Sequence, residues 1–428
     1  MKSRIYFKTA ITLSVGLVGT LLDSTAAFAQ SQPSLAQVRE LYQMHTPENF
    51  DDGGPISHYV WKNFASFYPH ATIARTSPER LLEGASKNTN KTAAAHFPIT
   101  TPAGDTTLQD YVENSPLVDG IIVLAGGKVV YESYPRMKPF ERHLSWSVTK
   151  VIVSTALAAL ESEGRVDMAM PVENYLPELA GTQWQGISLR NIANMASGIS
   201  CLDSDGYQNT KTCIYRYEES LGLTAPVNPT QTTLANLATM KSHLPAGEKY
   251  EYVSANTFVT GLVLESITNQ PLWLALQDLI WSKTGAEADA MMMISPAGTP
   301  ATHGGISARL RDIARFGQIF TATNGLGVIR DNHLKDLSSN NGIEFDSTQL
   351  EALERRFPGD TPTHAAWQWD MIWPDGAMFK GGYSGQGIFI DLNRDIVVAW
   401  YGTSNADGDS NRLLPIARQL TQSAFFDD

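Results

Sequence analysis

Several things this chain of 428 residues lacks narrow its function at once. It has two cysteines, Cys201 and Cys213, so no zinc ribbon or multi-disulfide scaffold is possible. Its nine histidines form no His-Glu-x-x-His or comparable ligand set, and no metal or other cofactor is expected. No Gly-x-Ser-x-Gly elbow occurs, which excludes a standard α/β-hydrolase, and no phosphate-binding loop is present. There is no low-complexity tract and no internal repeat. Positive charge is in deficit: the net charge is −12, against nucleic acid or an anionic membrane as partner. Beyond the first 30 residues no apolar run is long enough to cross a membrane.

What is present begins with a leader. Lys2, Arg4 and Lys8 precede the short apolar run ITLSVGLVGTLL, and Ala27-Phe28-Ala29 fits a small-x-small cleavage site. Residues 1–29 are therefore expected to be a cleaved signal peptide, cut after Ala29, giving a periplasmic or secreted product not inserted in the membrane. In that oxidising compartment Cys201 and Cys213 are disulfide candidates, stapling the polar loop between them. Hydrophobic content of 43% is ample for a sizeable core.

Residues 30–109, rich in Pro, Gly, Thr and Asn, read as an N-terminal extension packed on a main domain at 110–428. In that domain DGIIVLAGGKVVYESY is a β-hairpin turning at Gly126-Gly127. A buried helix follows from near Ser147 to a Gly164 cap. A shorter helix covers 188–196, an amphipathic one ANTFVTGLVLESITNQ, and another ISARLRDIARFGQIFTA, with Ile306, Leu310, Ile313, Phe316 and Ile319 or Phe320 on one face. A second hairpin turns at Asn393-Arg394 before a terminal helix. Strands at both ends and helices between them predict an α+β fold, an antiparallel sheet flanked by helices with an α-helical lobe.

The chemistry centres on SWSVTK, residues 145–150. Residues three apart on a helix share a face, so Ser147 at the N-terminus and Lys150 one turn on point into one space. Surrounded by Val151, Ile152 and alanines, Lys150 is driven toward its neutral form and can take the serine proton. The Ser147 N–H, at the positive end of the helix, is placed to bind an oxyanion. Ser-x-x-Lys alone also describes a capping serine followed by a surface lysine. Two further elements change that balance: Tyr252-Val253-Ser254 just before a helix, and Lys380-Gly381-Gly382 on a late strand.

In this order the three elements resemble the serine β-lactamase and penicillin-binding-protein superfamily, in its class C-like branch. Together with SWSVTK, the stretches ALESEGRVDMAMPVENYLPELAG, YVS and GGISARLRDIARFGQIF resemble the 6-aminohexanoate-dimer hydrolase-like serine hydrolases more closely still. The resemblance implies a β-lactamase-like fold, Ser147 as acyl-forming nucleophile, Lys150 as its base and Tyr252 as the group that passes a proton to the leaving group. Tyr250 is the alternative tyrosine. It also implies an oxyanion hole from the backbone N–H groups of Ser147 and Tyr383, and substrate contacts from Ser254, Lys380, Gly381, Gly382 and a loop tyrosine such as Tyr207.

Two departures matter. Ser254 stands where most class C-like members have Asn, with Asn256 out of register, and Lys380-Gly-Gly replaces Lys-Thr-Gly. The expected activity is hydrolysis of a small-molecule amide or ester through an acyl-enzyme, by a monomer or homodimer. A β-lactamase or D,D-peptidase, and a penicillin-sensor-like binding module with little turnover, are the alternatives.

Overall fold

The computed structural model describes residues 33–84, 90–227, 232–322, 326–338 and 342–423. The leader lies outside the described residues. No helix among those described is long and apolar enough to cross a membrane.

Both ends of the main domain meet in one antiparallel sheet of eight strands. From one edge it runs Lys128–Ser133, Val118–Ala125, Ile396–Gly402, Gln386–Asp391, Met378–Gly382, Trp369–Ile372, His364–Ala366 and Ile343–Glu344. The first hairpin turns where expected, at Gly126 and Gly127, both at the positive φ that a two-residue hairpin loop demands. The second places Asp395 at φ 54° beside Asn393-Arg394. The join between the chain ends is Val118–Ala125 against Ile396–Gly402, in register from Ile396↔Ala125 to Tyr401↔Gly120. Every residue of Ile396–Gly402 is buried, because helices cover one face and the terminal Leu413–Thr421 helix covers the other.

The helical lobe is built around Val148–Ser162. Its residues from Val148 to Leu160 are all buried, with no polar face. It lies between the Ser254–Thr268 helix and the strands Met378–Gly382 and Gln386–Asp391. Each fully buried Val, Leu or Ile in it contributes roughly 1.5–3 kcal/mol. The same burial leaves Lys150 without water. Gly164 at φ 73° and Asn269 at φ 53° end these two helices in the left-handed conformation.

The expectation of one continuous helix across ISARLRDIARFGQIFTA is corrected. Ile306–Arg309 is a strand, paired with Arg142–Leu144 and with Ala290–Met293, and the helix begins only at Leu310. The apolar spacing was real, but two flanking strands offer the 306–309 backbone ladder partners that a helix would forgo. The 188–196 helix is likewise shorter, Leu189–Ala193.

Residues before 110 contribute the Leu35–Met44 helix, capped by Ser34, and the Gly54–Lys62 helix. Strand His70–Ile73 pairs with Ala290–Met293 in a second sheet. Phe50, Trp61 and Phe64 form an apolar cluster with Leu144, Met293 and the partly buried Trp146. His58 Nε2 lies 3.1 Å from the buried Asp119 carboxylate on strand Val118–Ala125. This segment therefore packs directly behind the residues that precede Ser147.

Candidate active site

Ser147 occupies the N-cap position of the central helix, yet its hydroxyl makes no capping hydrogen bond. The Oγ instead lies 2.9 Å from Lys150 Nζ. That geometry removes the reading of Ser147 as a mere cap. The preceding residue, Trp146, sits at φ 46°, a left-handed conformation unfavourable for a bulky side chain. Its ring is held by Trp61 at 5.3 Å and Phe50 at 5.2 Å. Surrounding packing thus maintains a strained turn beside the serine, a common arrangement at reactive sites.

Lys150 is fully buried, and its Nζ also donates to the His303 carbonyl at 2.7 Å. Burial brings its pKa down from 10.5 to about 7; the charges of Asp203, Asp370 and Glu218 work against that fall, and Lys380 adds to it. A neutral amine held by one carbonyl keeps its lone pair for the serine proton.

Tyr252 lies next to both. Its ring is 5.0 Å from Lys150 Nζ, and its hydroxyl contacts Ser147 and accepts a 2.9 Å hydrogen bond from Lys380 Nζ. Burial, and after it the charges of Asp370 and Asp203, hold the phenol protonated well above its ordinary range. Tyr250 has its ring edge-on to Phe345 and its hydroxyl on Asp370. Of the two tyrosines weighed from sequence, Tyr252 is the one beside Ser147.

The strand Met378–Gly382 ends against the serine turn. A Cβ on Gly382 would come within 2.7 Å of the Ser145 carbonyl oxygen, so only glycine allows this approach. It brings the Tyr383 ring to 5.4 Å from Trp146. Among the described residues no hydrogen bond occupies the N–H of Ser147 or of Tyr383.

A cleft opens over Ser147, walled by Trp146, Tyr207, Tyr215, Leu223, His303 and Tyr383. Its acidic residues are Glu48, Asp51 and Glu218. Asp51 is pushed up to about 6 by burial and by the nearby Glu218 charge. Glu218 holds His303 Nε2 at 2.7 Å, while Tyr217 meets His303 Nδ1 at 3.0 Å.

Ser254, Lys380 and Gly381 each have partners within the protein. Ser254 is fully buried and bonds Asp203 through both its N–H, at 2.7 Å, and its hydroxyl, at 2.5 Å. Lys380 is fully buried behind Tyr252 and paired with Asp370, and the Gly381 N–H donates to the same carboxylate. Asn256 is buried against Met195.

Asp203, Asp370, Glu218 and Asp51 carried no sequence motif that would have found them as neighbours of Ser147. Asp203 also binds the Tyr207 hydroxyl at 2.5 Å, and its N–H donates to the Tyr252 carbonyl at 3.1 Å. Cys201 and Cys213 are joined in a disulfide with a Cα separation of 5.0 Å, closing the loop that carries Asp203 and Tyr207.

An antiparallel sheet with a helical lobe, and a helix-borne serine at their junction, is the architecture of serine β-lactamase-like hydrolases. The chain belongs to the Beta-lactamase family, whose profile residues 117–423 match. It is 29% identical over 286 residues to the 6-aminohexanoate-dimer hydrolase of Paenarthrobacter ureafaciens, covering 65% of this chain and 71% of that protein. A candidate 6-aminohexanoate-dimer hydrolase from Bacillus anthracis shares the fold with a TM-score of 0.72 at 19% identity, covering 92% of this chain and 99% of that one. EstCE1, a hydrolase with promiscuous acyltransferase activity, superposes with a TM-score of 0.54 at 14% identity, over 71% of this chain and 92% of its own.

Proposed function

We propose that this family member is an exported serine hydrolase that cleaves an amide or ester bond through an acyl-enzyme on Ser147. The observation that carries the reading is the 2.9 Å contact between Ser147 Oγ and a fully buried lysine whose pKa is brought down to about 7. Lys150 Nζ accepts the hydroxyl proton as Ser147 Oγ bonds to the substrate carbonyl carbon. The carbonyl oxygen becomes an oxyanion between the N–H groups of Ser147 and Tyr383. Collapse breaks the bond to the leaving nitrogen or oxygen, which takes a proton from the Tyr252 hydroxyl, itself resupplied from Lys150. Water then attacks the ester by the reverse path, releasing the acid and restoring Ser147.

Export is supported by the leader in the sequence and by the disulfide. The acidic residues Glu48, Asp51 and Glu218 in the cleft favour a substrate whose end near them is cationic or neutral. A short amide with an amine end meets that condition, consistent with the activity named for the Paenarthrobacter relative. The same charges disfavour a substrate that puts a carboxylate at that end.

The test is labelling with a fluorophosphonate probe, read by intact mass, beside a panel of p-nitrophenyl esters, short amides and nitrocefin. Wild type should form one adduct and turn over the esters and amides; Ser147→Ala should do neither. An adduct on Ser147→Ala would overturn the assignment.

A further inference from the structure

The resemblance implies Lys380 as a substrate contact, but its side chain is taken up by internal partners. The side chain is fully buried in the strand Met378–Gly382. Its ammonium is 2.5 Å from Asp370 Oδ1 on the adjacent strand Trp369–Ile372 and 2.9 Å from the Tyr252 hydroxyl. It also lies 4.4 Å from the centre of the Tyr252 ring. Asp370 is itself anchored, its second oxygen accepting the Gly381 N–H at 2.9 Å, with the Tyr250 hydroxyl on the same carboxylate. Lysine, counter-ion and tyrosine thus form one hydrogen-bonded set.

We propose that Asp370 is a positioning residue that locks Lys380 as a hydrogen-bond donor to Tyr252 and withdraws it from substrate binding. The inference rests on the Ser147–Lys150–Tyr252 reading. A lysine donating into the oxygen of Tyr252 leaves the phenolic O–H free to point at Ser147, where the leaving group departs. Without Asp370 the lysine loses its one ion-pair partner among the described residues and is free to turn to other acceptors. The Lys-Gly-Gly element therefore serves the proton donor, and a substrate carboxylate gains nothing from Lys380.

The experiment uses the full mature protein and three substrate types: a short neutral amide, p-nitrophenyl valerate, and mono-p-nitrophenyl glutarate as the carboxylate-bearing ester of equal length. Asp370→Asn and Lys380→Met should each lower kcat on the amide at least ~10-fold more than on p-nitrophenyl valerate, the scale of lost acid–base assistance. KM should stay within about threefold, and the double variant should be no worse than the worse single one, since the two act as one unit.

The preference between the two esters should be the same in wild type and Lys380→Met. A rise in KM for the glutarate ester alone in Lys380→Met would overturn the proposal, making Lys380 a substrate contact. So would equal losses on amide and ester, or no loss, in Asp370→Asn. If Lys380→Met does not fold, Lys380→Gln keeps a donor without the charge and should retain more amide activity than Asp370→Asn; less activity would refute the assigned role. Hydrolysis by Ser147→Ala at the wild-type rate would instead sink the underlying mechanism, a separate outcome.

Discussion

Lys150→Met should abolish hydrolysis and yet stabilise the protein. Burial sets the lysine pKa at about 7 in the fold against 10.5 for the free side chain. Each pH unit between those values is worth about 1.4 kcal/mol, so holding this lysine in the core costs about 5 kcal/mol at pH 7 or below. Methionine fills a similar volume without the charge. Two contacts are lost with it. The His303 carbonyl loses its partner, a penalty of about 1–3 kcal/mol, and the Ser147 contact contributes about 1 kcal/mol. A net gain of about 1–3 kcal/mol remains.

The sign follows from which state binds more protons. Lys150 has its folded pKa depressed, so between about pH 7 and 10.5 the unfolded chain holds the extra proton, and wild-type stability from this group rises with pH. The advantage of methionine should therefore be full at pH 6–7 and fade toward pH 10. Urea unfolding of both proteins at pH 6.5 and pH 9.5, followed by tryptophan fluorescence, measures it. A methionine variant less stable than wild type at pH 6.5, with an unchanged denaturant slope, would refute the account of Lys150 as a buried group held at a cost for its chemistry.

Activity should follow the same group: kcat/KM for an unactivated ester should fall about tenfold per pH unit below about pH 7, as Lys150 takes up its proton; a profile flat to pH 5 would mean another base. Tyr252→Phe keeps the ring between the two lysines but removes the hydroxyl, and should depress amide hydrolysis at least ~10-fold more than p-nitrophenyl ester hydrolysis, because an amine needs the proton and p-nitrophenolate does not. Replacing Cys201 and Cys213 together by alanine should lower the unfolding midpoint by the equivalent of about 3 kcal/mol, the chain-entropy value for so short a loop. It should also cut activity, since the loop carries Asp203 to Ser254 and Tyr207; an unchanged kcat would show that the Asp203 bonds alone hold it.

The sequence by itself determined the parts of this protein that are local. Gly126-Gly127 announced a hairpin, Gly164 a helix end, and the Ser147–Lys150 spacing a shared helix face, because each depends on a few neighbouring residues. The order of the Ser-x-x-Lys, Tyr and Lys-Gly-Gly elements pointed to the superfamily and through it to the fold. Tertiary structure decided the rest. Ile306–Arg309 became a strand because Arg142–Leu144 and Ala290–Met293 were there to pair with it, partners no window of sequence contains. Tyr252 rather than Tyr250 meets Ser147 because the Tyr250 hydroxyl is taken by Asp370 and its ring by Phe345, partners that come from distant parts of the chain. Lys380 turns inward because Asp370 waits on the neighbouring strand, and Ser254 because Asp203 arrives on the disulfide-closed loop. Ion pairing and hydrogen bonding in a buried site are set by what lies within 3 Å, and residues 10 and 51 positions apart reach that distance only once the sheet and lobe have closed.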